Sequence, residues 1–105
     1  MLEVTPALVK AYLDSCANSD TIGYCRESSN CLVAYALRHT YPDIEGILVS
    51  EERIYYTDDQ GNGQVQDTPS DIAAIIDGFD TLGSCDKPIT KYDYVTAMES
   101  ASWLR

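Results

Sequence analysis

From Pro6 onward apolar residues recur at helical spacing, at Leu8, Val9, Tyr12, Leu13 and Cys16. Thr5 can accept from the free amides of a first turn, and Pro6 suits the first helical position, where a missing N–H is no loss. The pattern predicts a helix from about Pro6 to Ala17, then a polar loop, "NSDTIGYCRE", over residues 18–27. Leu32, Val33, Ala36 and Leu37 form a second apolar stripe behind Ser28, Ser29 and Asn30, all residues that cap helix N-termini. Pro42 closes that helix by pushing Tyr41 out of the helical region.

Past Gly46 the period changes to two. "GILVS" and "RIYYT", joined by a short polar "EE", read as a hairpin. "DDQGNG" holds the reversal pair Asn62-Gly63, so "QVQ" returns as a third short strand. Thr68, Pro69 and Asp71 then repeat the pattern of a helix start, and Ile72, Ile75, Ile76 and Phe79 follow at helical spacing. Residues 89–96 alternate as a strand, although Thr90 with Asp93 also matches a capping box and Tyr94, Met98 and Ala101 share one helical face. The expectation is strand to about Thr96, then a helix or frayed tail over 97–105. Together the elements predict a single α+β domain over residues 1–105, with about three helices packed on a small, mostly antiparallel sheet.

With 105 residues, 45% hydrophobic and 23% charged, the chain can bury one core without staples. No apolar run approaches the roughly 18 residues of a spanning helix, and Glu3 stands where a secretory leader carries basic residues. A cytoplasmic protein is expected. The net charge is -10, and residues 40–86 hold all of the excess, with eleven acids against one base, Arg53. Such a field repels nucleic acid and anionic membrane and speeds encounter with basic surfaces. Neither direct nucleic-acid binding nor membrane binding is expected.

Chemistry is sparse. Cys31 sits where the macrodipole of the second helix would lower a thiol's pKa, but a cysteine nucleophile also wants a base within reach. The only histidine, His39, lies eight positions along the same helix, about 12 Å away at 1.5 Å per residue. Papain-like chemistry is therefore not expected, and Cys31 reads as a core residue. Cys16, Cys25, Cys31 and Cys85 lack the close pairing of a zinc site and read as reduced thiols, with one disulfide such as Cys25 to Cys31 the alternative. "DDQGNG" partly matches a calcium loop, yet the required twelfth-position glutamate is Pro69. No phosphate cradle and no nucleophile elbow occurs. No catalytic residue, metal or cofactor is expected.

Eight tyrosines against one Phe and one Trp are a stronger signal, since Tyr serves both a core edge and an interface. Tyr55 and Tyr56 are neighbours on a strand, so one of them must face away from the core. The helix "NCLVAYALR", with Asn30, Cys31, Ala34, Ala36, Leu37 and Arg38, resembles that of small uncharacterised proteins of bacteria and their phages. The resemblance implies a fold and a mobile-element origin, but no activity. The sequence thus points to a non-enzymatic binding protein that presents Glu51, Glu52, Asp58, Asp59 and Asp67, edged by Tyr55 or Tyr56, to a basic protein surface. A nucleic-acid-binding host protein would be such a partner, with the chain a phage-encoded inhibitor of the anti-CRISPR kind. The alternative is a housekeeping or regulatory domain acting through an apolar homodimer patch, its acidity serving solubility.

Overall fold

Four helices and five short strands, the strands split between two antiparallel sheets, account for the regular structure of residues 1–83 and 87–104, which the computed structural model describes. In chain order they are α1 (Pro6–Asp14), β1 (Thr21–Tyr24), α2 (Leu32–Thr40), β2 (Glu45–Val49), β3 (Arg53–Thr57), β4 (Gly63–Asp67), α3 (Ser70–Asp80), β5 (Pro88–Thr90) and α4 (Lys91–Ala97). A 3-10 turn follows at Ser102–Leu104. The fold is α+β as predicted, with one helix more than expected and two sheets in place of one. Cys85, Asp86 and Arg105 lie outside the described residues, and with them any pairing of Cys85.

α1 begins as predicted: the Leu8 amide donates to Thr5 Oγ1 at 3.2 Å, with Pro6 in the first turn. It ends at Asp14 instead of Ala17. The Ser15 hydroxyl turns back onto the Tyr12 carbonyl, and the Ala17 amide donates to Asp20 Oδ2 at 2.8 Å, so local side-chain bonds compete with the helix ladder.

The stretch expected as a loop contains β1, which pairs with β5. Gly23 explains how it fits. Its φ is +150°, and a Cβ there would lie 2.7 Å from the Leu32 amide nitrogen and 2.9 Å from the Cys31 carbonyl carbon. Only glycine lets β1 lie this close to the start of α2.

α2 is the centre of the core. Leu32, Val33, Ala34, Ala36 and Leu37 are buried, and the helix packs on α1, α3, β1 and β2. Its cap differs from expectation: the N-cap is Cys31, which makes no side-chain cap bond. Ser28 and Asn30 give their carbonyls to the two sheets instead, Ser28 to the Val49 amide at 2.8 Å and Asn30 to the Tyr24 amide at 2.7 Å, while Ser29 O accepts from the Arg38 guanidinium further along α2.

The hairpin and third strand form as predicted, in the order β2-β3-β4. Ile47, Val49, Ile54 and Tyr56 face inward and share one buried cluster with the core residues of α2 and with Ile72, Ile75, Ile76 and Phe79 of α3. Thr68 is not the cap of α3; its amide donates to Glu52 O and its hydroxyl to Ser50 O, and the helix opens after Pro69.

The C-terminal strand is cut short. Thr90 Oγ1 accepts from the Asp93 amide at 3.2 Å, so the capping pattern prevails over the alternation and α4 starts at Lys91. Tyr94 is buried, with its ring centroid 5.6 Å from that of Phe79 and 6.3 Å from that of Trp103, which anchors the tail.

Gly23→Ala is expected to cost about 3 kcal/mol, because strain at a positive φ adds to a backbone clash. Urea denaturation measures it, and a loss below about 1 kcal/mol would show that β1 can move off α2.

Candidate functional site

The inward alternation of Ile54 and Tyr56 forces Arg53, Tyr55 and Thr57 onto the outer face of the three-stranded sheet. Register then decides what stands beside Tyr55. Leu48 is its partner on β2 and Val65 its partner on β4, so the three side chains form one row across the sheet. They are 45%, 48% and 56% exposed in strand order, a contiguous apolar strip with no cover among the described residues. The sequence reading reached Tyr55 but missed Leu48 and Val65, whose outward positions follow from the period of two once the register is known.

Of the two adjacent tyrosines, only Tyr55 is at the surface. Tyr56 is 7% exposed and packs beneath the sheet, with an edge lining a cleft of about 460 Å³ beside Leu2, Tyr41, Ile44 and three acids, Asp43, Asp58 and Asp59.

The five proposed contact acids fall at two ends of the sheet. Glu51 and Glu52 form the tight β2–β3 turn, in which Ser50 Oγ accepts from the amides of Glu52 and Arg53. Asp67 is at the same end, 3.3 Å from its cross-strand partner Arg53. That pair is well exposed, so it adds little to stability and leaves a near-neutral spot at the rim. Asp58 and Asp59 form the opposite turn, beyond Thr57, with Asp58 about 17 Å from Arg53 at about 3.3 Å per strand residue. The acids therefore frame the apolar row from both ends instead of forming one patch.

Asp58 differs from the rest. Its Oδ1 accepts from the amides of Gln60 at 3.0 Å and Asn62 at 2.8 Å, and its Oδ2 accepts from Gln64 Nε2 at 3.2 Å. These bonds, that from the Asn62 amide foremost, hold its carboxyl below the usual carboxylate range. The calcium-like spelling of "DDQGNG" is thus the chemistry of a reverse turn wrapped on its first residue, with Gly61 at φ +84° completing it.

Cys31 and His39 stand at the two ends of α2, as its spacing predicts. The thiol is 3% exposed, and burial pushes its pKa up against a smaller opposing pull from the Ala34 and Val33 amides. The His39 ring lies 5.3 Å from that of Tyr12. Cys25 is buried too, with its Sγ 3.3 Å from the Phe79 carbonyl, and both thiols are free. Among the described residues no helix is long and apolar enough to cross a membrane.

Compared with family models, curated proteins and solved structures, the chain matches none.

Two outcomes follow. In peptide-resolved alkylation, Cys16, which is partly exposed, is expected to react in the native state and Cys31 only after unfolding; equal rates would place the Cys31 thiol at the surface. Asp58 has a depressed folded pKa, so its contribution is present above the unfolded value near about 4 and is lost as pH falls through the folded one. Asp58→Ala should therefore be less stable than the wild type at neutral pH, with the gap narrowing in strong acid. A gap of equal size at both pH values would contradict the role of the charge.

Proposed function

We propose that this chain is a non-enzymatic acidic binding protein that offers the outer face of β2-β3-β4 to a basic surface on a partner protein. The observation that carries the reading is the row Leu48, Tyr55 and Val65 set between two acidic turns. An apolar centre with a charged rim is the general anatomy of a protein interface, and Tyr is among the residues that dominate binding energy. The acids at the rim, Glu51, Glu52 and Asp59, supply long-range attraction and partner choice more than net affinity. A protein that normally holds phosphates has a surface of the complementary sign, which makes nucleic-acid-binding proteins the favoured partners. The inhibitor and phage form of this reading rests on the sequence resemblance alone.

The same apolar row supports a second reading, a homodimer through the outer face. Salt separates the two. In pull-down from host lysate, the acidic-face reading expects a basic protein that is retained at low salt and released at high salt. It also expects binding to weaken by at least about tenfold in Tyr55→Ala and in a Glu51→Lys/Asp59→Lys double variant. Asp58 is left intact because it holds its turn. Binding unchanged in both variants would overturn the reading, and a salt-insensitive dimer in sedimentation, lost in Tyr55→Ala, would establish the homodimer.

A further inference from the structure

We propose that the open edge of β4 takes up an extended, basic segment of the partner as a fourth strand. The proposal rests on the acidic-binding reading above and gives its partner a definite form.

The backbone fixes which groups are available. At the two ends of the β3–β4 ladder the Asp58 amide donates to Asn62 O at 2.9 Å and the Thr68 amide to Glu52 O at 3.0 Å. In an antiparallel pair hydrogen-bonded positions alternate, and the register runs unbroken from Arg53 opposite Asp67 to Thr57 opposite Gly63. Gln64 and Gln66 therefore bond to β3, and the N–H and C=O groups of Gly63, Val65 and Asp67 face away from it. None of these outward groups has a backbone or side-chain partner among the described residues.

The two edges of the sheet are treated differently. On β2 the outward Val49 amide is taken by Ser28 O at 2.8 Å, and the register shifts between Glu45 and Leu48. Exposed edges are usually blunted by lysine, proline or a bulge. β4, "GQVQD", has none of the three and displays Val65 at 56% exposure. Along it the Gln66 side chain holds the Leu2 backbone, accepting its amide and donating to its carbonyl at 2.9 Å each, and a cleft of about 390 Å³ opens between Met1, Tyr56 and the run from Gln64 to Asp67.

Charge selects the occupant. The edge is bounded by Asp58 and Asp59 at one end and by the Glu51–Glu52 turn and Asp67 at the other, with Arg53 already paired with Asp67. A second copy pairing antiparallel about Val65 would bring the end that holds Glu51, Glu52 and the Arg53–Asp67 pair of each chain, net negative, toward the Asp58–Asp59 turn of the other, and like charges opposed across strands are unfavourable. A segment with a β-branched residue beside Val65 and Lys or Arg toward both ends meets the apolar row and the acids together. Main-chain bonds then supply affinity and the flanking charges supply choice, as in other cases of strand addition.

The test uses the 15N-labelled protein and an end-blocked peptide of about eight residues alternating Val and Lys. Amide exchange at Val65 and Asp67 should slow by about tenfold or more on binding. Val65→Pro removes an outward N–H and no ladder bond, so it should weaken binding by about tenfold while the protein stays folded. As a check that does not depend on that variant folding, the same peptide N-methylated at alternate positions should bind the wild type about tenfold more weakly. Salt-sensitive binding that leaves Val65 and Asp67 exchange unchanged, or that tolerates N-methylation, overturns strand addition and leaves the acidic-face reading standing. No binding at low salt overturns both. Self-association abolished by Val65→Pro assigns the edge to a second copy and overturns the basic partner.

Discussion

The whole structure depends on the short segment Ser28–Cys31, where two backbone carbonyls bind the two sheets to the head of one buried helix. Asn30 O takes the Tyr24 amide of β1 and Ser28 O takes the Val49 amide of β2. Because these are backbone bonds at short range, they require β1 to lie against the helix start, and Gly23 is the residue that makes this possible. α2 then fills the space behind both sheets with side chains that include two alanines, small enough for close packing. The same attachment occupies the outward Val49 amide on the β2 edge. At β4 the N-terminal segment is held only through the Gln66 side chain, and among the described residues the outward main-chain groups of that edge have no partner.

That asymmetry connects fold to function. A sheet anchored through one edge and packed on its inner face has two surfaces left for a partner, its outer face and its free edge. In this chain both are populated by residues that suit binding: Leu48, Tyr55 and Val65 on the face, amides and carbonyls without a partner among the described residues on the edge, and acids at each end. A strongly negative field of this kind opposes the pairing of such a strand with copies of itself and favours encounter with basic surfaces.

Much of this was legible in the sequence wherever the signal was local. The start of α1 at Thr5 and Pro6, the hairpin, the short third strand and the apolar face of α3 all follow from caps, turns and periodicity. β1 did not, since four residues reading "TIGY" become a strand only by pairing with Pro88–Thr90, far along the chain. For residues 89–96 two local signals conflicted, and the hydroxyl of Thr90 bonding the Asp93 amide decided for the helix. The acids could be counted but not assigned: Asp58 and Asp59 look alike in sequence, yet Asp58 is bound into its turn by three N–H donors. Tyr55 and Tyr56 needed the burial pattern to be told apart, and the row through Leu48 and Val65 needed the register, which depends on turn lengths no propensity fixes.

The most direct measurement of the central claim is hydrogen–deuterium exchange by mass spectrometry on the protein alone and with any basic protein recovered in the pull-down. The account predicts protection concentrated in residues 45–67, strongest in the peptides that cover Tyr55 and Val65, with α1 and α4 unchanged. Protection confined to α1 or α4, with residues 45–67 exchanging as in the free protein, would contradict it.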